Sequence, residues 1–133
     1  DTVALYPAGH YSRKIKFQPS VTLPKGWQFA TALEKSSQKG NTVTFEGIDF
    51  ENLVDSPMFA GSHYKRVDLN PNADTPVFLN VFADKEKDLE ISAEGLTAHR
   101  EFIQQMYSLY GAHHFDHYDF LLSLTDKLGG IGM

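Results

Sequence analysis

Three histidines, His113, His114 and His117, crowd one short stretch of the chain, with Asp116 beside them. On a helix, His113 and His117 would share a face, which is a spacing that metal ligands use. A catalytic zinc ion also needs a third ligand and a general base in fixed geometry, and the neighbouring residues indicate neither. Gly111 ends the helical pattern that precedes them, so the two rings are not expected to converge. The cluster therefore reads as a solvated loop between a helix and a strand. A small metalloprotein site at the same residues is the competing reading. His99 lies in Ala98-His99-Arg100-Glu101, which is not the His-Glu-x-x-His zinc helix. His10 and His63 read as loop residues.

The other reactive types give less. Asp55-Ser56-Pro57 has the form of a turn in which an aspartate bonds its own backbone. No serine sits in a Gly-x-Ser-x-Gly elbow. With no cysteine in the chain, disulfides, thiolate zinc sites and a cysteine nucleophile are excluded. Gly129, Gly130 and Gly132 close the sequence together with Ile131 and Met133. No helix pattern or acidic residue follows to make them a dinucleotide loop. They read as an ordinary loop or as a strand. Glycine inside a strand marks the close approach of another backbone or of a ligand. A glycine-rich edge strand could accept a peptide by adding it to the sheet.

The elements that must hold these residues change character along the chain. The first part reads as β. Val3 to Tyr6 is an apolar run closed by Pro7-Ala8-Gly9. From Tyr11 to Phe17 the period is two, with Tyr11, Arg13, Ile15 and Phe17 on one face. Pro24-Lys25-Gly26 turns the chain into Trp27 to Ala30, and Lys39-Gly40-Asn41 turns it into Thr42 to Phe45. Asn52 to Asp55 is a further short run ending at Ser56-Pro57. Tyr64 to Leu69 and Val77 to Phe82 predict two strands around the loop Asn70 to Asp74. Near-regular short strands suggest a β-sandwich or a curled sheet. Asp84 to Asp88 is charged and free of apolar residues, and the domain boundary is expected there. A helix capped by Ser92 follows, with Leu96, Phe102, Ile103, Met106, Tyr107 and Tyr110 on one apolar face and Gly111 as its stop. Tyr118 to Leu124 then reads as a buried strand.

Composition sets the frame. A chain of 133 residues with 41% hydrophobic and 22% charged residues has enough apolar material for a folded core, so general disorder is not expected. A net charge of −5 argues against nucleic acid, whose binders neutralise phosphates with basic patches. The one basic stretch, Ser12 to Lys16, has the pattern of a solvated strand face. No apolar run approaches the ~20 residues of a membrane span. The absence of cysteine suits cytoplasm and periplasm alike. Asp1 is not a start residue, and both ends read as cuts.

At this point a resemblance joins the pattern. Tyr110-Gly111, Phe115-Asp116-His117-Tyr118-Asp119-Phe120-Leu121-Leu122 and Gly129-Gly130-Ile131-Gly132-Met133 resemble the glycyl aminopeptidases, zinc peptidases that carry a PDZ domain after the catalytic one. Leu5-Tyr6-Pro7-Ala8-Gly9, Leu23-Pro24-Lys25-Gly26-Trp27, Thr31-Ala32-Leu33 and Leu53-Val54-Asp55-Ser56-Pro57 resemble their N-terminal β domain. The resemblance implies a thermolysin-like catalytic domain whose zinc is held by a His-Glu-x-x-His helix and a later glutamate. In that family the glycine-rich segment is followed by Glu-His, and its glutamate sits near the substrate's amino group. This sequence ends before that point, so of the family's site only Gly129 to Met133 carries over, as a substrate-adjacent wall.

The combined expectation is an α+β chain. Residues 1 to 83 form an antiparallel β-sandwich-like domain, and 84 to 133 supply a helix and strands that open a thermolysin-like domain. No catalytic or metal-binding residue and no cofactor is expected in this chain itself. The parent protein would use zinc to remove amino-terminal residues such as glycine or alanine from peptides. Its expected partners are a peptide substrate and the remainder of its own catalytic domain, with neither nucleic acid nor membrane. The alternative is a β-sandwich module that holds a peptide or glycan through Trp27, Tyr11 or Tyr64.

Overall fold

A computed structural model describes residues 5–71, 73–111 and 115–127. In chain order the strands are β1 (Lys16–Phe17), β2 (Ser20–Thr22), β3 (Gln28–Thr31), β4 (Lys35–Lys39), β5 (Thr42–Phe45), β6 (Ile48–Asp49), β7 (Met58–Gly61), β8 (His63–Asp68), β9 (Val77–Ala83) and β10 (Tyr118–Leu124). Helix α1 (Phe50–Val54) lies between β6 and β7, and α2 (Ala93–Tyr110) between β9 and β10. The class is α+β, as the sequence predicts. The elements form two compact units, one of residues 1–26 and 31–58, the other of 27–30 and 59–133.

In the first unit β5 is the central strand of an antiparallel sheet ordered β2-β5-β4. Alternation explains its place. Val43 and Phe45 point inward and are almost fully buried, at 0% and 1% exposure. Thr42, on the opposite face, shares a hydroxyl contact of 2.8 Å with Thr22 across the pair. β4 reads Lys-Ser-Ser-Gln-Lys, is exposed along its whole length and carries no apolar residue, so no hydrophobic period announces it. Its backbone pairs with β5, and its lysines sit where an open sheet edge is protected from further pairing.

Two expectations fail in this unit. The alternating run Tyr11 to Phe17 is not one strand. A 3₁₀ turn occupies Ser12–Lys14, and only Lys16 and Phe17 pair, with β6. Lys14 N–H donates to Tyr11 O at 2.8 Å, and the turn lets Arg13 reach Glu51 on α1 through two bonds of 2.8 and 2.9 Å. Of the expected inward face only Ile15 is buried. The run after Asp49 is also helical. Asp49 caps α1 by accepting from the Asn52 backbone N–H at 3.0 Å, and Ser56 Oγ closes the other end by donating to Asn52 O at 2.7 Å. An Asp-x-x-Asn start of this kind competes directly with an extended run.

These two carboxylates make a prediction about acid. The Asn52 backbone N–H holds Asp49 below its ordinary value of 3.8, and the Arg13 hydrogen bond holds Glu51 below 4.5. A carboxyl with a depressed folded value keeps its charge where the unfolded chain has already taken up a proton. Its contribution is therefore present above the unfolded value and is lost as pH falls through the folded one. The Asn52 amide and the Arg13 Nε–H resonances should stay constant near neutrality and move only in the acid interval below the ordinary values of 3.8 for Asp49 and 4.5 for Glu51. Resonances that do not move over that interval would remove the cap and the ion pair.

In the second unit β3 pairs with β7, and β8, β9 and β10 form a sheet with β9 in the middle. β8 runs antiparallel to β9, His63 opposite Ala83. β10 runs parallel to β9, from Tyr118 opposite Val77 to Leu124 opposite Ala83. A parallel pair requires a crossover, and α2 supplies it. Asp84, where the sequence changes texture, lies inside this unit between β9 and that crossover. The Ser92 hydroxyl caps α2 by accepting from Gly95 N–H at 3.0 Å, and Gly111 ends it at φ 65°, the left-handed conformation a C-terminal cap needs. The core lies between α2 and one face of β9, with Val77, Leu79, Val81, Leu69 and Ile103 buried and Leu96, Tyr107 and Phe120 packed against them.

β10 is a strand but not a buried one. It lies at the sheet edge, and Tyr118, Leu122 and Leu124 are 45%, 40% and 40% exposed. α2 covers the column of β9, while the column of β10 on the same side remains open. Two hollows follow from this. One of about 440 Å³ is lined by Phe102, Phe120 and Leu122, among others, and one of about 370 Å³ by Met106, Tyr110, Phe115 and Tyr118, among others. Among the described residues no helix is long and apolar enough to cross a membrane.

Candidate functional site

The richest chemistry in the described residues lies on the face of the β8–β10 sheet away from α2. It begins with a polar residue inside an apolar strand. Asn80 interrupts Val-Phe-Leu-Asn-Val-Phe-Ala in β9 and is 1% exposed. A side-chain amide buried that deeply must find partners on neighbouring strands. It finds them on both sides. Asn80 Oδ1 accepts from the Tyr64 hydroxyl of β8 at 2.7 Å. Asn80 Nδ2 donates to Asp119 Oδ1 of β10 at 2.7 Å and to Phe120 O at 3.3 Å.

Asp119 extends the network to charge. Its side chain is 6% exposed, and a carboxylate so placed needs compensation. Arg66 on β8 brings a guanidinium nitrogen within 3.5 Å of Oδ1 and lies over the Phe78 ring, 3.6 Å from its centroid. His117, just before β10, shares a contact of 2.8 Å between Nδ1 and Asp119 Oδ2. That contact assigns the proton to Nδ1 and fixes the plane of the ring. Burial raises the Tyr64 hydroxyl above its ordinary value of 10.0, so it remains a neutral donor near pH 7. Chemically the group is a carboxylate that orients an imidazole, tied through one amide to a tyrosine. It joins three strands and fixes where β10 begins.

This arrangement sorts the expected site residues. His117 lies in the network, bound to a neighbouring carboxylate. His113 and His114 lie outside the described residues, as do Gly129, Gly130, Ile131, Gly132 and Met133. Asp116 is exposed. His99 is within 2.7 Å of Gly95 O in its own helix. His63 is not in a loop; it opens β8. Of the aromatics named for a binding module, Tyr11 and Trp27 are 79% and 45% exposed, whereas Tyr64 is turned toward Asn80. Among the described residues no three His, Asp or Glu side chains gather as metal ligands. Asn80, Asp119 and Arg66 belong to no catalytic or metal-binding motif in the sequence. The available signal was the lone polar Asn80 in the apolar run of β9 and the one charged residue, Asp119, in the largely apolar β10.

Comparison with known proteins bears mainly on the first unit. No curated protein matches the chain. Residues 1–62, which include the whole β2-β5-β4 sheet and α1, match the Peptidase M61 N-terminal domain.

Proposed function

We propose that the chain is a non-catalytic part of a zinc aminopeptidase of the glycyl aminopeptidase type, which removes amino-terminal residues such as glycine or alanine from peptides. The observation that carries this reading is the match of residues 1–62 to the Peptidase M61 N-terminal domain. The ordered resemblance of Tyr118 to Leu122 and of Gly129 to Met133 to the same peptidases supports it. In this reading residues 1 to 83 belong to the N-terminal β domain, and those from 84 onward open a thermolysin-like domain. The partners are the peptide substrate and the remainder of that domain.

Zinc is the group this reading implies. A zinc ion needs at least three side-chain ligands on one point, and the described residues offer no such group. No step is therefore assigned to metal bound by them. The role left to this chain is to shape the site. Gly129 to Met133 would border the substrate as a strand whose missing side chains allow a peptide backbone to approach closely.

Purified chain supplied with zinc is expected to hydrolyse no amino-acid arylamide. In the zinc peptidase that contains it, Gly130→Val should raise KM or abolish turnover while thermal stability moves only slightly. Turnover by the chain alone that survives repurification and disappears with a chelator would overturn the non-catalytic role. A Gly130→Val peptidase with unchanged kinetics would remove the substrate wall.

A further inference from the structure

We propose that Asp84 and Thr125 are positioning residues, which hold the exit of β10 in the direction that carries the chain on to Gly129 and the residues after it. The inference rests on the peptidase reading, in which Gly129 to Met133 border the substrate. The ladder of β10 with β9 ends where Leu124 stands opposite Ala83. β10 lies at the sheet edge, and no described strand pairs with its other side. The tie is continued by Asp84, the first residue of the charged run after β9. Its backbone N–H donates to Leu124 O at 3.3 Å, one step beyond the last register pair. Its carboxylate Oδ2 accepts from the Thr125 hydroxyl at 2.8 Å. The same hydroxyl oxygen accepts from the Lys127 N–H at 3.2 Å.

A threonine hydroxyl carries one proton and two lone pairs, so it can serve both partners at once. Donating to a carboxylate strengthens that bond and fixes the hydroxyl rotor for the Lys127 N–H. One carboxylate at the end of β9 thereby sets the turn that closes just before Gly129. Asp84 and Thr125 are 41 positions apart, so the bond closes the whole β9-α2-β10 crossover and not a local loop. With it β10 is tied to the β9 side through side chains at both ends, Asp119 to Asn80 at the start and Thr125 to Asp84 past the finish. Asp84 is exposed and stands apart from the core of Val77, Leu79 and Ile103, so the bond adds little to global stability. Its consequence falls on where the following segment runs. A substrate wall binds substrate and transition state alike, so displacing it acts on KM and leaves kcat in place.

In the zinc peptidase that contains this chain, Thr125→Val should raise KM for trialanine by about 10-fold with kcat within about twofold, the loss expected for one hydrogen bond to a charged group. Asp84→Ala should do the same, and the double variant should be no worse than either, because both remove one bond. Thr125→Ser keeps the hydroxyl and should restore KM. In the chain alone, Thr125→Val should speed amide exchange at Lys127 and leave Val77 to Ala83 protected. An active peptidase whose KM neither single variant changes overturns the positioning role and leaves the peptidase reading standing. A fall in kcat and thermal stability that Thr125→Ser does not restore overturns it too, as does a Lys127 amide whose exchange is unaltered. A whole protein that hydrolyses no peptide overturns the peptidase reading itself, and this inference with it.

Discussion

Phe45→Ala should destabilise the first unit by about 3–5 kcal/mol, the range for truncating a fully buried aromatic. Phe45 ends β5, the strand between β2 and β4, and is 1% exposed. Its backbone is held on both sides as well. Phe45 N–H donates to Pro19 O at 2.9 Å, and Gln18 Nε2 donates to Phe45 O at 3.0 Å. Those bonds hold the strand end, so the space left by the ring has little freedom to close. A domain is stable by only about 5–15 kcal/mol, so this loss is a large share of the total. With two units present, a single unfolding midpoint would blur the result. Amide exchange separates them. Protection should fall at Thr42 to Phe45 and persist at Val77 to Ala83. Val54→Ala, at a position 54% exposed, should change little. A loss below about 1 kcal/mol for Phe45→Ala would mean that β5 is not the core of the unit.

The sequence was legible where a local rule and the long-range environment agree. Thr42 to Phe45 alternates because one face of β5 is buried, and Ser92 and Gly111 bound α2 because caps are local chemistry. β4 was not legible. A polar edge strand gains its place from backbone pairing with β5, and no side-chain pattern records that. Tyr11 to Phe17 alternates yet turns, because the Lys14 and Ile15 N–H groups bond back to Tyr11 O and Ser12 O, local bonds that side-chain alternation does not record. The helix near Asn52 lost to the apolar look of Leu53-Val54, although Asp49 carried the cap signal. Tyr118 to Leu124 is continuous enough to look buried, as parallel strands usually are. Its openness follows from its place beside β9 and from the single crossover helix, which sequence spacing does not state. The polar network was the least legible feature. Asn80 and Asp119 meet across 39 positions of sequence, and only the parallel register of β9 and β10 brings them together.

Asn80→Leu should cost about 2–4 kcal/mol, although leucine is apolar and close to asparagine in volume. The penalty comes from what remains. Tyr64 Oη loses its acceptor, and Asp119 Oδ1 loses the donor at 2.7 Å while its side chain stays 6% exposed. Removing one member of a buried polar network leaves its partners with full desolvation and fewer bonds, which outweighs the apolar gain of the leucine. Asp119→Asn separates the two contributions. An asparagine there can still accept from Asn80 Nδ2, but it gives up its charge toward Arg66 at 3.5 Å and His117 at 2.8 Å. If the amide bonds dominate, Asp119→Asn is the milder change; if the charges dominate, the order reverses. Arg66 is about half exposed, so its share is screened by solvent, and the first order is expected. Tyr64 gives an independent reading. Leucine leaves in place the burial that holds its hydroxyl above 10.0, so in Asn80→Leu its titration should stay raised although the hydroxyl has lost its acceptor at 2.7 Å. An Asn80→Leu chain as stable as the wild type would show that Asn80 fills space in β9 without joining its neighbours.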